Sequence, residues 1–425
     1  MQLHKPTAES WNAFLQRPAQ KTEDLTIIVS EVFRNVQTQG DEAVKHYTAL
    51  FDKVQINNLQ VADAISDFSE VPQNLKDAIA LAYENIKAFH ASQRHEYPVV
   101  ERLQGVRCWM ETRPIERVGI YIPGGTAPLF STVLMLGIPA VLAGCQEIVL
   151  CTPPDSNGNI NPAIHYTASL LGIKTICKAG GIQAIAAMTY GTESIPKVDK
   201  IFGPGNQYVT AAKQFAQQQG VAIDMPAGPS ELLIIADATA NPEFVAADLL
   251  SQAEHGADSQ VILVSTNEEI AQKTITEIEK QLAVLPRKGL AEKSLENSHI
   301  LVLPSLEDCF SFSNQYAPEH LILAMDDAEN HTRKIAHAGS VFLGHYSCES
   351  LGDYASGTNH TLPTYGFARN YSGVSLASFQ KTVTFQSISK KGISQIGKAV
   401  ELMAEAEQLQ AHKNAVTVRM SAISQ

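Results

Sequence analysis

The sequence has 425 residues, of which 44% are hydrophobic and 18% charged, and 44 acidic against 32 basic side chains give a formal net charge of −12. This length suits two or three domains of roughly 150 residues, and the composition excludes collagen-like, low-complexity and disordered classes. The acidic balance argues against nucleic acid or an anionic membrane as a partner, because both bind clustered Lys and Arg.

The beginning of the chain lacks the continuous apolar core of a secretory signal, so we predict a cytoplasmic protein. Its six cysteines are scattered without a Cys-x-x-Cys pair, and we expect them to be reduced. Residues 118–146 carry no charged side chain, but their prolines and glycines indicate a strand, a turn and a buried helix. A spanning helix would need roughly 20 consecutive apolar residues.

The first hundred residues are predicted to be helical. Three helices are delimited by residues that commonly start or stop a helix, namely Thr22 or Glu23, Gly40, Asp41 as a cap, and Pro72.

From Val118 onwards, short apolar runs alternate with helical stretches, in two series separated near Ser230. The runs that indicate strands are VGIYIP, EIVLCTP, TICKAG, KIFGPG, ELLIIAD, SQVILVST, HILVLP, LILAM and SVFLG. This alternation predicts an α/β fold of two modules with parallel sheets. Residues 345–374 follow neither period and are expected to form a functional loop, before a helical tail.

Three glycine-bearing turns follow strands of the first series: Pro123-Gly124-Gly125, Ala179-Gly180-Gly181 and Gly203-Pro204-Gly205. Such turns let a phosphate or ribose approach the backbone at the carboxyl ends of strands. None of them is a dinucleotide fingerprint, and taken alone they favour ordinary turn and helix-cap chemistry over nucleotide binding.

A metal site is indicated by Gln252 and His255, which are three residues apart at the predicted end of a helix closed by Gly256. The negative end of the helix dipole favours a cation there, and imidazole with an amide oxygen suits zinc. A solvated Gln beside a capping His would produce the same pattern.

Two acid–base candidates, Glu319 and His320, precede a predicted strand. Because neighbours in an extended chain point to opposite sides, they could serve two different proton transfers. Two surface residues before an edge strand would look the same.

Further polar candidates lie in the loop and the tail. Asp353 could ligate a metal and His360 could contact a polar substrate, although the pattern by itself favours an Asx turn at Asp353 and an exposed loop His. Glu407 and His412 are five residues apart on a helical stretch, so they do not share a narrow face. Ser230 lacks the GxSxG elbow of a nucleophilic serine and is better interpreted as a substrate contact or a cap.

Seven segments together resemble the histidinol dehydrogenase family, in order and spacing, across nearly the whole chain. They are RVGIYIPGGTAPLFSTVLM, KIFGPGNQYV, DMPAGPSE, LLSQAEHG, YAPEHL, GDYASGTNHTLPT and AHKNAV. Each motif alone is weak, but seven ordered motifs are specific.

The resemblance implies a four-electron oxidation of L-histidinol to L-histidine through L-histidinal, with two NAD⁺ consumed and one Zn²⁺ per subunit. His320 would remove the hydroxyl proton, and Glu319 would activate the water that hydrates histidinal. The implied zinc ligands, which also contact substrate, are Gln252, His255, Asp353 and His412. The other implied substrate contacts are His320, Ser230, His360 and Glu407. The implied NAD contacts are Tyr121, Gln183 and Asn206.

The family is a homodimer with shared active sites and an incomplete Rossmann-like sheet, which implies helical terminal segments used in dimerisation. We therefore predict a helical arm over 1–20 and a first α/β domain, 21–118 with 231–372, carrying the metal and catalytic residues. A second Rossmann-like α/β domain over 119–230 would contact NAD, and a helical tail over 373–425 would cross to the partner subunit.

Three alternatives stay open. An aldehyde-dehydrogenase-like route would use Cys348 as a covalent nucleophile. A zinc-dependent binding protein or dimeric scaffold would have no oxidoreductase activity. A dehydrogenase on the same scaffold could oxidise a related amino alcohol.

Overall fold

The computed structural model describes residues 1–18, 25–61, 68–124, 128–226 and 228–423, so the helix start expected at Thr22 or Glu23 lies outside them. The chain divides into two compact units. The first comprises Met1–Ser92 with Ile115–Phe379, and the second comprises Gln93–Pro114 with Gln380–Gln425. Within the described ranges, no helix is both long and apolar enough to cross a bilayer.

Strands and helices are numbered in chain order. The strands are β1 (Gln2–His4), β2 (Val100–Leu103), β3 (Val106–Pro114), β4 (Arg117–Tyr121), β5 (Glu147–Thr152), β6 (Thr175–Lys178), β7 (Lys200–Phe202), β8 (Ala222–Ile223), β9 (Glu231–Ala236), β10 (Gln260–Ser265), β11 (His299–Val302), β12 (His320–Ala324), β13 (Ser340–Leu343) and β14 (Gln380–Ile388). The helices are α1 (Leu25–Gln39), α2 (Asp41–Tyr47), α3 (Gln73–Ala91), α4 (Phe130–Ala143), α5 (Pro162–Leu170), α6 (Gly181–Tyr190), α7 (Gln207–Gln218), α8 (Pro242–Ala253), α9 (Glu268–Leu282), α10 (Lys288–Glu296), α11 (Leu306–Tyr316), α12 (Glu349–Tyr354), α13 (Lys390–Ala406) and α14 (Gln410–Ile423). Short 3₁₀ or π turns occupy Ala8–Ala13, Thr48–Asp52, Ala328–Lys334, Phe367–Arg369 and Leu376–Phe379.

The first series of apolar runs forms a five-stranded sheet in the order β6-β5-β4-β7-β8, with every pair parallel. The chain leaves the central β4 in one direction through β5 and β6, and then returns to add β7 and β8 on the other side. This reversal makes the gap between the carboxyl ends of β4 and β7 a switch point, where α/β sheets commonly bind ligands.

The second series forms a six-stranded parallel sheet in the order β1-β11-β10-β9-β12-β13. All residues of β9, β10 and β12 are buried, as expected for strands covered by helices on both faces. The two predicted parallel modules of the α/β fold are therefore confirmed. Over residues 1–18 the chain start differs from the predicted helical arm, since β1 adds an edge strand beside β11 and only Ala8–Ala13 form a helical turn there.

Helices α1 to α3 pack against the five-stranded module. Val29, Val32 and Phe33 of α1 share a buried core with α6, and Ile79 and Ile86 of α3 share another with α4. This packing differs from the predicted grouping of residues 21–118 with the six-stranded module. Helix α2 begins at Asp41 after Gly40, so Asp41 is not its cap.

The second unit contains a three-stranded antiparallel sheet that the sequence analysis did not predict. Strand β14 pairs with β3 from Gln380↔Pro114 to Ile388↔Val106, and β2 pairs with the other edge of β3. The tail after Gly373 is therefore not wholly helical. Its helical part is divided between α13 and α14, because Gln408 adopts a left-handed φ of 60°.

Candidate functional site

A cavity of about 220 Å³ lies where the two sheets of the first unit meet. One wall comes from residues that follow the carboxyl ends of β7 and β8, and the other from residues that precede the amino ends of β9, β10 and β12. Among the predicted site residues it is lined by Ser230, His255, Glu319, His360 and Asn206. Of the three predicted glycine turns, Gly203-Pro204-Gly205 is the one that lines this cavity among the described residues.

Glu319 and His320 stand at the start of β12, separated by Pro318 from Ala317, whose φ of 54° makes a sharp turn. Both side chains are buried. Glu319 Oε2 lies 3.5 Å from His320 Nδ1, so the expectation that the two side chains point to opposite sides is wrong. The turn at Ala317 leaves Glu319 outside the regular strand, where the alternation of an extended chain does not apply.

The two side chains are anchored on one residue, Glu231. Its backbone N–H donates to Glu319 Oε2 at 2.8 Å, and its carbonyl accepts from His320 Nδ1 at 3.1 Å. Since a carbonyl only accepts, Nδ1 carries the proton and Nε2 is the basic nitrogen of the neutral ring.

His320 Nε2 is buried and makes no hydrogen bond within the described part of the chain. Asp353 Oδ1 lies 3.5 Å away, which is an electrostatic contact rather than a hydrogen bond. Burial by itself lowers the pKa of His320, but the carboxylates of Glu319 and Asp353 outweigh it and raise the pKa above its ordinary value. The two neighbouring carboxylates therefore favour the protonated form of the imidazole.

The predicted metal ligands Gln252, His255 and Asp353 belong to the first unit. Helix α8 ends at Ala253, so Gln252 lies in its last turn and His255 lies beyond it; the predicted helix end at Gly256 and the shared helix face are wrong. Asp353 lies on the short helix α12 and not in a loop.

The Gln252 amide is buried, and neither its oxygen nor its nitrogen finds a hydrogen-bond partner within the described residues. Burial raises the pKa of Asp353, but the imidazoles of His320, His360 and His255 outweigh that effect and lower it below its usual value. By residue type, an amide oxygen without a partner, a charged carboxylate and an imidazole are suitable donors for a borderline cation. In the described ranges, however, no three His, Cys, Asp or Glu side chains gather as a metal site.

Two acidic residues escaped the sequence analysis. Glu349, on α12, is buried and accepts a hydrogen bond from Ser251 Oγ at 2.6 Å, and burial raises its pKa to about 8. Burial likewise raises the pKa of Asp248 to about 7. The sequence contains a signal that could have identified them. Asp248 lies four residues before Gln252 and Glu349 lies four residues before Asp353, which places each pair on one helix face.

His360 is hydrogen-bonded to the backbone of Asp353. Its Nδ1–H donates to the Asp353 carbonyl at 2.9 Å, and its Nε2 lies 3.1 Å from Thr132 Oγ1. Burial lowers the pKa of His360, which favours the neutral ring. A substrate that contacts His360 Nε2 directly would therefore take the place of the Thr132 hydroxyl.

A larger cavity of about 820 Å³ opens at the switch point of the five-stranded sheet, and Tyr121 and Asn206 line it. The Tyr121 hydroxyl accepts from Gly181 N–H at 3.1 Å. Gln183 Nε2 lies 3.4 Å from Asp52, a lining residue whose burial raises its pKa to about 6. The three predicted cofactor contacts thus lie at or beside one cavity.

The Gly203-Pro204-Gly205 turn borders the smaller cavity, and the next residue, Asn206, lines both. Gly203 has a φ of 131°, and a Cβ there would come within 2.1 Å of the Tyr121 carbonyl. Under the turn, a buried ion pair joins Lys213 to Asp224, which also accepts from Gly203 N–H at 2.8 Å. Of the first predicted turn, Gly125 lies outside the described residues.

The remaining predicted residues belong to the second unit. Glu407 is the C-cap of α13 and His412 lies on α14, so the angle expected between them on one continuous helix does not apply. The six cysteines form no disulfide, and Cys348 caps the start of α12.

The chain matches known proteins over nearly its whole length. The histidinol dehydrogenase family model matches residues 15–420. Histidinol dehydrogenase of Bacteroides fragilis is 56% identical over 98% of both chains, and that of Escherichia coli O6:H1 is 51% identical over 99% of this chain and 97% of its own. The crystal structure of histidinol dehydrogenase from Elizabethkingia anophelis superposes with a TM-score of 0.97 at 62% identity, covering 100% of this chain and 99% of that one.

An acetylating aldehyde dehydrogenase from Geobacillus thermoglucosidasius, with a TM-score of 0.50 and 11% identity, covers 90% of this chain and 94% of its own. At that identity the likeness shows the fold alone. As its ordered motifs predicted, the chain belongs to the histidinol dehydrogenase family of oxidoreductases.

Proposed function

We propose that the chain oxidises L-histidinol to L-histidine through L-histidinal, the final two steps of histidine biosynthesis, with two NAD⁺ as acceptors. The observation that carries the proposal is that the Glu231 backbone holds both Glu319 and His320, with the Asp353 carboxylate 3.5 Å from His320 Nε2. A buried base is thereby held between two carboxylates.

Gln252, His255 and Asp353 are suited to hold a zinc ion, with His412 of the partner subunit completing the set. An amide oxygen, imidazole nitrogens and a carboxylate oxygen lie within the usual range of zinc ligands. Zinc bound there would supply positive charge that orients the amine and imidazole of the substrate without changing oxidation state. Zinc bound to Asp353 would also offset the charge of one of the two carboxylates, Glu319 and Asp353, that raise the pKa of His320, which favours a neutral imidazole able to accept a proton.

The proposed first oxidation uses His320 as base. Its Nε2 accepts the hydroxyl proton while hydride leaves the same carbon for NAD⁺, giving histidinal, NADH and a proton. Glu319 then removes a proton from water as the water oxygen adds to the aldehyde carbon. His320 accepts a proton of the hydrate as a second hydride leaves, so the sum is histidinol, water and two NAD⁺ giving histidine, two NADH and three protons.

The larger cavity suits NAD⁺, with Tyr121, Gln183 and Asn206 as contacts. Its volume accommodates a dinucleotide segment, and it opens at a switch point. The smaller cavity suits the substrate, with Ser230 and His360 on its walls. A homodimer whose tail supplies Glu407 and His412 to the other subunit's site completes the proposal, and the acidic composition with reduced cysteines suits a cytoplasmic enzyme.

The deciding experiment measures NADH formed per L-histidinol consumed, before chelation, after chelation and after zinc is restored. Two NADH per histidinol, lost on chelation and recovered with zinc, are expected. One NADH per histidinol would exclude the second oxidation, and turnover that survives complete metal removal would exclude the zinc role. A related amino alcohol oxidised with a higher kcat/KM than histidinol would establish the alternative substrate.

A further inference from the structure

The backbone N–H and carbonyl of Glu231 can bind side chains because Glu231 is the first residue of β9. Strands β9 and β12 pair from Leu232↔His320 onwards, so the N–H and carbonyl of Glu231 point towards β12 just before that pairing begins. Glu319 and His320 fill this gap with their side chains. The backbone N–H and carbonyl of a single residue, Glu231, therefore hold both side chains.

The side chain of Glu231 is in turn held by Arg17, which comes from outside both sheets. Arg17 Nε and Nη2 bind the two carboxylate oxygens, the second at 2.9 Å, and Nη2 also donates to the Tyr316 carbonyl at 2.7 Å. The Tyr365 N–H donates to Glu231 Oε1 at 2.8 Å, and the Arg17 guanidinium lies 4.0 Å from the Tyr316 ring centre. The two charged side chains are only 11% and 3% exposed.

We propose that Arg17 is a positioning residue, which acts through Glu231 to orient Glu319 and His320. The inference rests on the proposed function of that pair. A buried ion pair adds little net stability, because desolvation opposes the attraction, whereas a two-pronged guanidinium contact fixes a carboxylate in one orientation. Here the fixed carboxylate belongs to Glu231, so the contact also restrains the Glu231 backbone. The carbonyl of that residue holds the proton on His320 Nδ1 and keeps Nε2 basic.

Loss of the two-pronged contact frees the start of β9 and weakens both hydrogen bonds to the peptide. Groups that orient a catalytic side chain without touching substrate typically account for about 10- to 100-fold in activity. Because Arg17 does not contact the cavity, substrate binding should change much less than the chemical step.

The test replaces Arg17 by Lys, which keeps the charge but cannot bind both oxygens in the same plane. We expect kcat for histidinol to fall about 10- to 100-fold, with KM changed by less than about threefold and the zinc content retained. Arg17→Gly should regain part of its kcat with millimolar guanidinium. Lys5→Met, which removes an exposed ion pair with Glu268 in the same N-terminal segment, is the matched control and should keep wild-type kcat.

A wild-type kcat in folded Arg17→Lys overturns the inference. So does a fall of kcat, zinc content and melting temperature together that guanidinium does not reverse, since that pattern marks a purely structural role. Crystal structures of wild type and Arg17→Lys separate this inference from the proposed function, because they require no turnover. The inference expects the contacts of 2.8 and 3.1 Å to the Glu231 peptide to lengthen in the variant, and their retention overturns it.

Discussion

Replacing Lys213 by Met should destabilise the first unit by about 3 kcal/mol. Lys213 and Asp224 form an ion pair whose side chains are 5% and 1% exposed, and Lys213 Nζ also donates to the Gly203 carbonyl at 2.8 Å. Removing one partner of such a pair costs about 3–5 kcal/mol, because the other charge stays buried. Lys200 also senses the Asp224 charge, so we expect the lower end of that range.

The double variant Lys213→Met/Asp224→Asn removes both charges, and the new amide oxygen can still accept from Gly203 N–H. It should cost only about 1 kcal/mol, roughly one hydrogen bond, so the two single changes should couple strongly. Urea unfolding followed by Trp11 fluorescence measures the effect in the first unit, in a Trp109→Phe background that silences the second. A cost of Lys213→Met below about 1 kcal/mol, or single costs that simply add, would refute the reasoning.

Four further outcomes concern the site. His320→Asn should impair oxidation of histidinol, whereas Glu319→Gln should mainly impair oxidation of histidinal through its hydration; equal losses on both substrates, measured as NADH formation, contradict the division of labour. Cys348→Ala should keep substantial activity, since loss of all turnover is what a covalent cysteine route requires. NAD⁺ affinity, measured by calorimetry, should increase as the pH falls through about 6, because Asp52 becomes neutral beside an anionic ligand, and Asp52→Asn should abolish this pH dependence. His412→Asn should lose zinc and activity, and its mixed dimers with His320→Asn should regain part of the activity; dead mixed dimers, shown to have formed, exclude a shared site.

The two parallel sheets could be predicted because their central strands are buried on both faces and appear as continuous apolar runs, whereas the short, partly exposed edge strands β1 and β8 were not predicted. The antiparallel sheet of the second unit could not. Most residues of β14 are exposed, and its partner β3 lies more than 250 residues earlier in the chain, so neither burial nor proximity leaves a local pattern.

The candidate site divides in the same way. Glu319, His320 and Gln252 could be selected because their residue types and spacing suggest proton transfer or metal binding. Glu231 could not be selected, since it holds Glu319 and His320 through its backbone N–H and carbonyl, and its own side chain is bound by an arginine 214 residues away. The end of α8 at Ala253 was also beyond reach, because Glu254 continues with helical dihedrals and no left-handed residue marks the boundary.

Asn206 has a consequence for the order of events. It is shared by the walls of both cavities, while the rest of each lining differs almost completely. If NAD⁺ occupies the larger cavity and the substrate the smaller one, as proposed, NADH can leave through the larger cavity and a second NAD⁺ can enter while the aldehyde stays in the smaller cavity. Two rounds of hydride acceptance are then compatible with a single residence of the carbon skeleton.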